Sequence, residues 1–588
     1  MSDGDFGPER RERFRLGDHW VTPSANEISG VRIDAKAMAV LMTLVDAAPQ
    51  VVPHAVMLGR VWPDVVVVDN VVHQAISQLR KALRDDPRVP RYIENVPRRG
   101  YRLSPNTRIE MPTRAPLISV AVVPFRLRNV GRDQDFLSIA LADATIHALS
   151  SIGKLIVRPI ASVLPYKDGG TEWSRIARDL DVEIVVQGVV HAQGTKLRVL
   201  TEALRARDAQ ALHSAKHDGD VDDLFGLQDR IADSISSVFR PQSQIVDEPS
   251  KPPTKSREAY ELYLRAIDRM AHVDKFDMEI AIETLTRVVE LEPNFADAWG
   301  RLAEALTQMG MHLDTDPRWF ERAEDAIAKT LALDPVNSDA LCARAMVLWS
   351  QARGFQYRPA LRAINASLQI NPHREIARSI RAAILFHLGF YQQPVRDLED
   401  ALLTNPGYVL ASTTGGMIAT YQGEYEAAHD FYSRALQLNP AHLHANLFSA
   451  APLIYLGRLS EARERVAKAR RILPEEPELT AMEGLILAHE GDFKNAERLA
   501  DAAVASPRSM THTHHTWHDA AGAYALCDRP DKAVRELRRC AEMGLPNYAL
   551  FGSDPHLRGL HDHPDFQALL IALRRDRDEF KEQFALEQ

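Results

Sequence analysis

The second half of the chain contains a repeat, and this repeat restricts the possible fold more than any other feature. Seven prolines each follow an apolar stretch, at Pro293, Pro335, Pro372, Pro406, Pro440, Pro474 and Pro507. Their successive spacings are 42, 37, 34, 34, 34 and 33 residues. Small residues recur with them, since Gly423, Ala428 and Ala435 have counterparts at Gly457, Ala462 and Ala469. Such a period predicts a stack of similar helical units rather than one globular core.

Each recurring residue has a local structural role. The glycine ends the first helix of a unit, the alanines let two helices approach closely, and the proline stops the second helix. Residues 257–546 therefore resemble a tetratricopeptide-repeat (TPR) solenoid of seven or eight units, with a capping segment at 547–588. The longest unit places extra residues, MHLDTDPRW, in its interhelical turn, and its first helix packs through Trp299, Leu302, Ala303 and Leu306.

Composition and linkers divide the rest of the chain. Residues 105–116 and 241–256 are rich in proline and polar side chains, which predicts two linkers. They separate a flexible N-terminus at 1–12 and a head at 13–104 from a middle domain at 117–240. The net charge of −9 excludes a uniformly basic protein, and three cysteines are too few for a disulfide framework. No apolar run is long enough to span a membrane, so we expect a cytoplasmic protein.

The head alternates short strands with helices. Strand-like pieces lie at 14–16 and 31–33, and apolar periodicity predicts helices at 35–48, 54–62 and 69–83. A final hairpin is expected from 92–96 and 100–103. The predicted core of the head is centred on Leu41, Leu44, Trp62, Ile76 and Leu79.

The third helix of the head has one apolar and one polar face. Val72, Ile76, Leu79 and Leu83 share a face, and the remaining positions are Asn70, His73, Gln74, Ser77, Gln78, Arg80, Lys81 and Arg84. Residues 79–102 contain eight cations and three acids within a chain of net charge −9. A helix fits the major groove of DNA, and Asn, Gln and Arg can hydrogen-bond to base edges. Arg98 and Arg99 at the hairpin tip suit phosphate or minor-groove contacts.

Four motifs of the head carry a family resemblance: VRIDAKAMAVL, LGRVWP, VVDNVVHQAISQLRKALRDDP and RYIENVPRRGYRL. They closely resemble the OmpR/PhoB-type winged-helix domain, in the form found in CadC/HilA-type transcriptional activators. The resemblance implies that 69–84 is the recognition helix and 94–103 the wing. This helix has fewer arginines than is usual in two-component members, so its base preference should differ.

The sequence of the middle domain contains no recognisable catalytic motif. Its β-rich runs at 118–125, 183–190 and 196–203 and its helices at 136–151, 173–180 and 222–239 predict a small α/β sandwich. Segments such as VAVVPF and IARDLDVEIVVQGVV resemble the TolB-like domain found between an effector head and TPR repeats. That resemblance implies no catalytic residue.

A histidine-rich segment, THTHHTWHD, is the main candidate for metal chemistry. His514 and His518 are one helical turn apart and could share a metal ion, but no cysteine or carboxylate completes a familiar spacing. We favour a solvent-exposed histidine-rich helix and predict no metal and no cofactor. Neither a phosphate-binding loop nor a GxSxG motif occurs, and nothing supports an enzyme.

Together these patterns predict a mainly α multidomain protein with an α+β winged-helix head, an α/β middle domain and an α-solenoid. We expect a one-component, cytosolic transcriptional regulator that binds double-stranded promoter DNA in a sequence-specific manner. A protein or peptide partner would bind the concave TPR face. A homodimer is possible, and no membrane association is expected. Two alternatives remain: a TPR interaction scaffold with secondary DNA binding, and a sensor of a small ligand.

Overall fold

In the computed structural model, the chain forms two units, residues 1–117 and 118–588. The structure describes residues 14–22, 26–48, 50–61, 70–97, 99–104, 107, 109–110, 118–131, 134–150, 152, 155–168, 170–239, 254, 256–270, 274–314, 316–506, 512–584 and 586. The N-terminus predicted to be flexible and most of the linker at 241–256 therefore lie outside the described residues.

The first unit, the head, begins with a strand meander. Antiparallel strands β1 to β4 are Phe14–Leu16, His19–Thr22, Glu27–Ile28 and Val31–Arg32. Three helices follow, α1 (Ala35–Ala47), α2 (His54–Val61) and α3 (Asn70–Leu83). The hairpin of β5 (Ile93–Val96) and β6 (Gly100–Leu103) forms a separate two-stranded sheet.

One segment of the predicted linker at 105–116 is ordered. Strand β7 (Ile109–Glu110) pairs antiparallel with β1, with Leu16 opposite Ile109, and extends the sheet to the order β4-β3-β2-β1-β7. The sequence analysis did not predict this strand, because a two-residue strand leaves no periodicity to detect. The linker at 105–116 stays a prediction.

The predicted core of the head forms around α1 and α3. Leu41, Leu44, Ile76 and Leu79 are buried together, whereas Trp62 lies outside the described residues. The Asp34 carboxylate accepts a hydrogen bond from the Lys36 amide at 2.7 Å and so caps the start of α1.

The middle domain packs helices on a six-stranded mixed sheet. Its strands are β8 (Ile118–Val122), β9 (Arg126–Arg128), β10 (Leu155–Val157), β11 (Ile184–Gln193), β12 (Lys196–Arg205) and β13 (Ala211–Asp220). The order is β10-β8-β11-β12-β13, with β9 also paired to β11; β10, β8 and β11 are parallel. Its helices are α4 (Leu137–Ser150), α5 (Ile160–Val163), α6 (Trp173–Asp179) and α7 (Leu224–Ser236). The sequence patterns missed β13, because this edge strand is polar on both faces.

Eight antiparallel helix pairs, units 1 to 8, follow in the described part of the chain. They are α8/α9 (Arg257–Met270, Lys275–Leu291), α10/α11 (Ala296–Gln308, Arg318–Leu333), α12/α13 (Ser338–Leu348, Tyr357–Ile370), α14/α15 (Glu375–His387, Gln392–Thr404), α16/α17 (Val409–Gln422, Tyr425–Leu438), α18–α19/α20 (Leu443–Phe448, Ala451–Tyr455, Leu459–Ile472), α21/α22 (Pro477–His489, Phe493–Ala505) and α23/α24 (Thr513–Leu526, Pro530–Glu542). In unit 2 the extra residues begin with a π-helical turn, Met309–Leu313, that prolongs α10.

Glycines end the first helices of units 4 to 7. Gly389, Gly423, Gly457 and Gly491 have φ values of 80°, 82°, 70° and 84°. This left-handed conformation strains residues that carry a Cβ atom, so the recurring glycine is a backbone requirement of the turn.

The C-terminal segment turns back onto earlier units. It contains α25 (Tyr548–Ser553), a 3₁₀ turn (Pro555–Leu560) and α26 (Pro564–Phe584). The Arg577 guanidinium lies 5.0 Å from the centre of the Phe390 ring, and the Arg358 guanidinium lies 4.3 Å from that of Phe580. The solenoid therefore closes on itself, with its C-terminal helix against units 3 and 4.

The middle domain and the first units of the solenoid share one hydrophobic core. The Gln228 amide donates to the Ala140 carbonyl oxygen at 2.7 Å and to the Tyr260 hydroxyl at 3.0 Å, which joins α7 to α8. The buried Arg158 guanidinium donates to the Leu180 carbonyl oxygen at 2.9 Å and to that of Thr404, at the end of α15, at 2.8 Å. These contacts fix the middle domain on the solenoid.

Candidate nucleic-acid interface and solenoid interior

Helix α3 presents a polar face opposite its buried one. Val72, Ile76, Leu79 and Leu83 are buried, as the sequence predicts. The predicted contact residues exposed on the other side are His73, Gln74, Ser77, Gln78, Lys81 and, just beyond the helix end, Arg84. Asn70 is the first residue of the helix, and its side chain lies outside the described part. The exposed set combines amide, hydroxyl, imidazole and cationic groups without an acid, which suits base edges and phosphates.

Two of the predicted contact residues are already bonded to the hairpin. The Arg80 guanidinium donates to the Ile93 carbonyl oxygen in β5 at 2.9 Å. A ring nitrogen of His73, Nδ1, lies 2.5 Å from the Tyr101 hydroxyl oxygen in β6. Both side chains therefore connect α3 to the hairpin, and their freedom to reach DNA is reduced.

The hairpin is anchored to the body of the head at its base. Val52 and Tyr101 exchange two backbone hydrogen bonds, at 2.8 and 3.1 Å. Gly100 beside them has φ of 131°, and a Cβ atom there would overlap the Val52 carbonyl oxygen. Only glycine fits this approach, which gives the PRRG motif a structural reason.

The tip of the hairpin carries the remaining predicted cations. Arg99 lies exposed in the turn, and Arg98 lies outside the described residues. At its base, Arg102 pairs with Glu94 at 2.8 Å. Hydrogen bonds from Ser104 and Arg102 lower the pKa of Glu94. This pairing leaves Arg99 as the exposed cation at the described tip.

Asp85 joins α3 to the hairpin, and sequence reasoning counted it only as an acid. Its carboxylate accepts backbone hydrogen bonds from Arg91 (2.6 Å), Tyr92 (3.2 Å) and Ile93 (2.9 Å). The motif RDDP could have indicated such a turn, because aspartate often bonds backbone amides there. Asp85 and Arg80 together hold the end of α3 at the start of β5.

The interior of the solenoid is filled by its own helices. Every residue of α23 from Thr513 to Tyr524 is buried, and most of α16 is buried as well. The ring of His515 lies 5.2 Å from that of Phe448 in unit 6, and the ring of His514 lies 5.2 Å from that of Phe355 in unit 3. A cavity of about 30 Å³ beside His515 has room for about one water molecule. Helix α23 of unit 8 thus occupies the space that an open solenoid offers to a peptide.

The expectation of a solvent-exposed histidine-rich helix was wrong. His512 is partly buried, and His514, His515 and His518 are buried. The proposed pair of His514 and His518 does not form, because the Nε2 atom of His518 lies 3.0 Å from the Asp554 carboxylate. Although burial lowers it, hydrogen bonds to Asp519 and Asp554 raise the pKa of His518 to about 9.

No helix within the described ranges is long and apolar enough to cross a membrane. Residues 29–103 match the family model of the transcriptional regulatory protein C-terminal domain, and residues 419–486 match a tetratricopeptide repeat model. The first match contains α1 to α3 and the hairpin. The second covers parts of units 5 to 7.

Curated relatives cover different parts of the chain. The transcriptional activator CadC of Escherichia coli is 36% identical over 94 residues, which are 15% of this chain and 18% of CadC. The transcriptional regulator HilA of Salmonella paratyphi A is 25% identical over 324 residues, 53% of this chain and 56% of HilA. A putative adenylate cyclase of Rhizobium meliloti is 25% identical over 244 residues, 40% of each chain.

The chain thus spans no more than about half the length of these relatives. The likeness of the middle domain to TolB-like domains stays a prediction. The chain carries an OmpR/PhoB-type DNA-binding domain of transcriptional regulators in its head and tetratricopeptide repeats in its C-terminal half.

Proposed function

We propose that this protein is a sequence-specific, DNA-binding transcriptional regulator. The observation that carries the proposal is the exposed, acid-free polar face of α3 within the domain that matches the regulator family. Its buried face fixes the helix in the head, so the opposite face is presented as one rigid surface. A helix of this kind fits the major groove.

In this proposal, different side chains have different tasks. Gln74 and Gln78 read base edges, since an amide can donate and accept at one adenine. Lys81, Arg84 and Arg99 contact phosphates, which adds affinity for any sequence. Asn70, Ser77 and Arg98 remain proposed contacts, and Arg80 and His73 act mainly by holding the hairpin against α3.

The solenoid is proposed to bind a protein partner, as TPR modules do. A peptide that binds the concave face must first displace α23, because that helix fills the interior. A partner on the outer surface meets no such obstacle. A small-ligand sensor is the second candidate, but a ligand larger than about one water molecule that binds beside His515 must likewise displace α23.

We further propose that the protein works in the cytoplasm, without enzymatic activity, and binds DNA as a homodimer. A single winged helix contacts one short site, so two linked heads bind far more tightly than one. Sedimentation of the full-length protein with and without DNA would measure the number of chains bound.

The proposal can be tested by selecting bound fragments from genomic DNA and then comparing variants on the selected site. Gln74→Ala or Gln78→Ala should relax base preference, by about 1–3 kcal/mol for each lost bidentate contact. Arg99→Ala should weaken binding to all sequences and reduce the salt slope by about one unit. Arg287→Ala, an exposed arginine of α9, is the matched control and should change neither. Equal selectivity of the glutamine variants and wild type would refute the proposed roles.

A further inference from the structure

Four histidines from distant parts of the chain meet inside the solenoid. His387 is the last residue of α14 in unit 4, and His512, His514 and His515 lie at the start of α23 in unit 8. One ring nitrogen of each lies within 4.8 Å of the others. Within the described residues, no other group of three or more histidines, cysteines or carboxylates is this compact.

The hydrogen bonds of two rings fix which nitrogen is free. His387 Nδ1 lies 2.7 Å from the Ala383 carbonyl oxygen, and His514 Nδ1 lies 2.8 Å from that of Met543. A carbonyl oxygen only accepts, so both rings carry their hydrogen on Nδ1 and have a lone pair on Nε2. Both Nε2 atoms are buried without a hydrogen-bond partner. Ligand histidines in metal sites have this same arrangement, with one nitrogen bonded to the protein.

The other two rings complete the group. The Nδ1 atom of His515 lies 2.8 Å from the Tyr421 hydroxyl oxygen, and when Nδ1 donates to this oxygen the Nε2 atom has a lone pair for a ligand bond. The ring of His512 lies 4.9 Å from those of Trp349 and Phe355. These aromatic side chains cover part of the His512 ring, which is partly buried.

Ordinary packing of neutral histidines does not account for this group. Buried polar atoms in folded proteins nearly always have a partner, and here the Nε2 atoms of His387 and His514 have none, although ring nitrogens of all four histidines lie within 4.8 Å of one another. A cation with open coordination positions satisfies all of them at once. Imidazole ligands without any oxygen ligand favour Zn²⁺ and its neighbours over Mg²⁺ or Ca²⁺.

We propose that His387, His512, His514 and His515 bind one divalent transition-metal ion of the Zn²⁺ class. The ion joins unit 4 to unit 8 and so holds α23 inside the solenoid. Because metal bound only to the closed form stabilises that form, metal occupancy controls how readily the solenoid opens. This inference is independent of DNA binding by the head.

The first test measures binding to the untagged full-length protein. After treatment with a chelator and dialysis, the protein is titrated with Co²⁺, and the visible absorption of the bound ion is recorded. We expect one Co²⁺ per chain, displaced by Zn²⁺, which nitrogen sites bind more tightly.

Variants locate the ion. His387→Gln and His514→Gln each remove a ligand and should weaken Zn²⁺ binding beyond the roughly 10–100-fold that outer-shell changes cost. His191→Gln changes an exposed histidine in β11 and should bind as wild type does. His512→Cys keeps a ligand but should add a thiolate-to-cobalt absorption band, a gain of signal that unfolding cannot imitate.

Hydrogen exchange tests the structural consequence. Zn²⁺ should slow amide exchange in α14 and α23 of the wild type and leave it unchanged in His387→Gln. The proposal is overturned if the wild type binds no Co²⁺, or if His512→Cys gives no new band. It is equally overturned if both glutamine variants bind Zn²⁺ as tightly as the wild type.

Discussion

Removal of the Asp85 carboxylate should detach α3 from the hairpin. In Asp85→Ala, the amides of Tyr92 and Ile93 lose their acceptor, and both residues are buried. Each buried, unpaired donor costs about 1–3 kcal/mol, so the free energy of unfolding of the head should fall by about 2–6 kcal/mol. The Arg91 amide belongs to an exposed residue and can bond to water instead. This loss is a large part of the stability of a small domain.

Two further variants calibrate this prediction. Asp86→Ala removes the neighbouring, exposed carboxylate, which accepts one backbone hydrogen bond, from Arg88 at 2.9 Å. Its effect should stay within about 0.5–1 kcal/mol. Asp85→Asn keeps one acceptor oxygen but turns a donor toward the remaining amides, so its cost should lie between those of the two alanine variants.

Hydrogen exchange of the full-length protein, followed by mass spectrometry, measures the effect where it occurs. Asp85→Ala should accelerate exchange of the amides in α3 and β5, while the helices of the solenoid exchange as in the wild type. Affinity for DNA should fall at the same time, because the hairpin loses its fixed place beside α3. If α3 and β5 remain as protected as in Asp86→Ala, the carboxylate does not hold the two elements together and the reasoning is refuted.

Three other predictions follow from single positions. Gly100→Ala should lower the free energy of unfolding of the head, measured by chemical denaturation, by at least the roughly 1–3 kcal/mol of a strained backbone. Gly30 has a φ of 85° and no atom within 4 Å of an added Cβ, so Gly30→Ala should lower it by less. Arg374→Met removes a buried partner of Glu304, 2.9 Å away, and should lower the stability of the solenoid by about 3–5 kcal/mol in calorimetry. Burial lowers the pKa of His442 to about 4, below its usual 6.5, so protonation of this ring should reduce solenoid stability as the pH drops from 6.5 to 4, by at most about 1.4 kcal/mol per pH unit. The buried rings of His312 and His444, whose pKa values are also lowered, add to this fall. His442→Asn should make the fall of stability with pH shallower by the contribution of this one ring and keep an acceptor for the start of α18; a slope equal to that of the wild type would contradict it.

The closed solenoid bears on the proposed regulatory function. Since the middle domain shares a core with units 1 and 2 and Arg158 bonds to the end of α15, a change in the solenoid reaches the middle domain directly. Helix α23 contacts Phe355 of unit 3, Tyr421 of unit 5 and Phe448 of unit 6, so displacement of this helix would break contacts across the solenoid. The metal ion proposed at the start of α23 would control whether this helix leaves its place.

The sequence by itself determined the local units of this protein. The repeat at 34 residues encodes helix pairs because its glycine, alanine and proline act on the nearest turn and the adjacent helix. The spacing of Val72, Ile76, Leu79 and Leu83 likewise defines the buried face of α3, since side chains three and four residues apart lie on one side of a helix. These features depend on neighbours within a few residues, and a periodic pattern records such neighbours.

Only the tertiary structure shows which distant segments of the chain contact one another. The closure of the solenoid is the sum of small rotations from unit to unit, and no single repeat encodes that sum. His387 and His514 therefore lie close together although no spacing in the sequence predicts it. The histidine-rich helix is likewise buried rather than exposed. One sign was available: α23 has no polar face of ordinary charged residues, as a helix that is buried on all sides requires. In the head, the bonds of Arg80 and Asp85 to β5 depend on where the hairpin folds back, which the pattern of α3 alone does not contain.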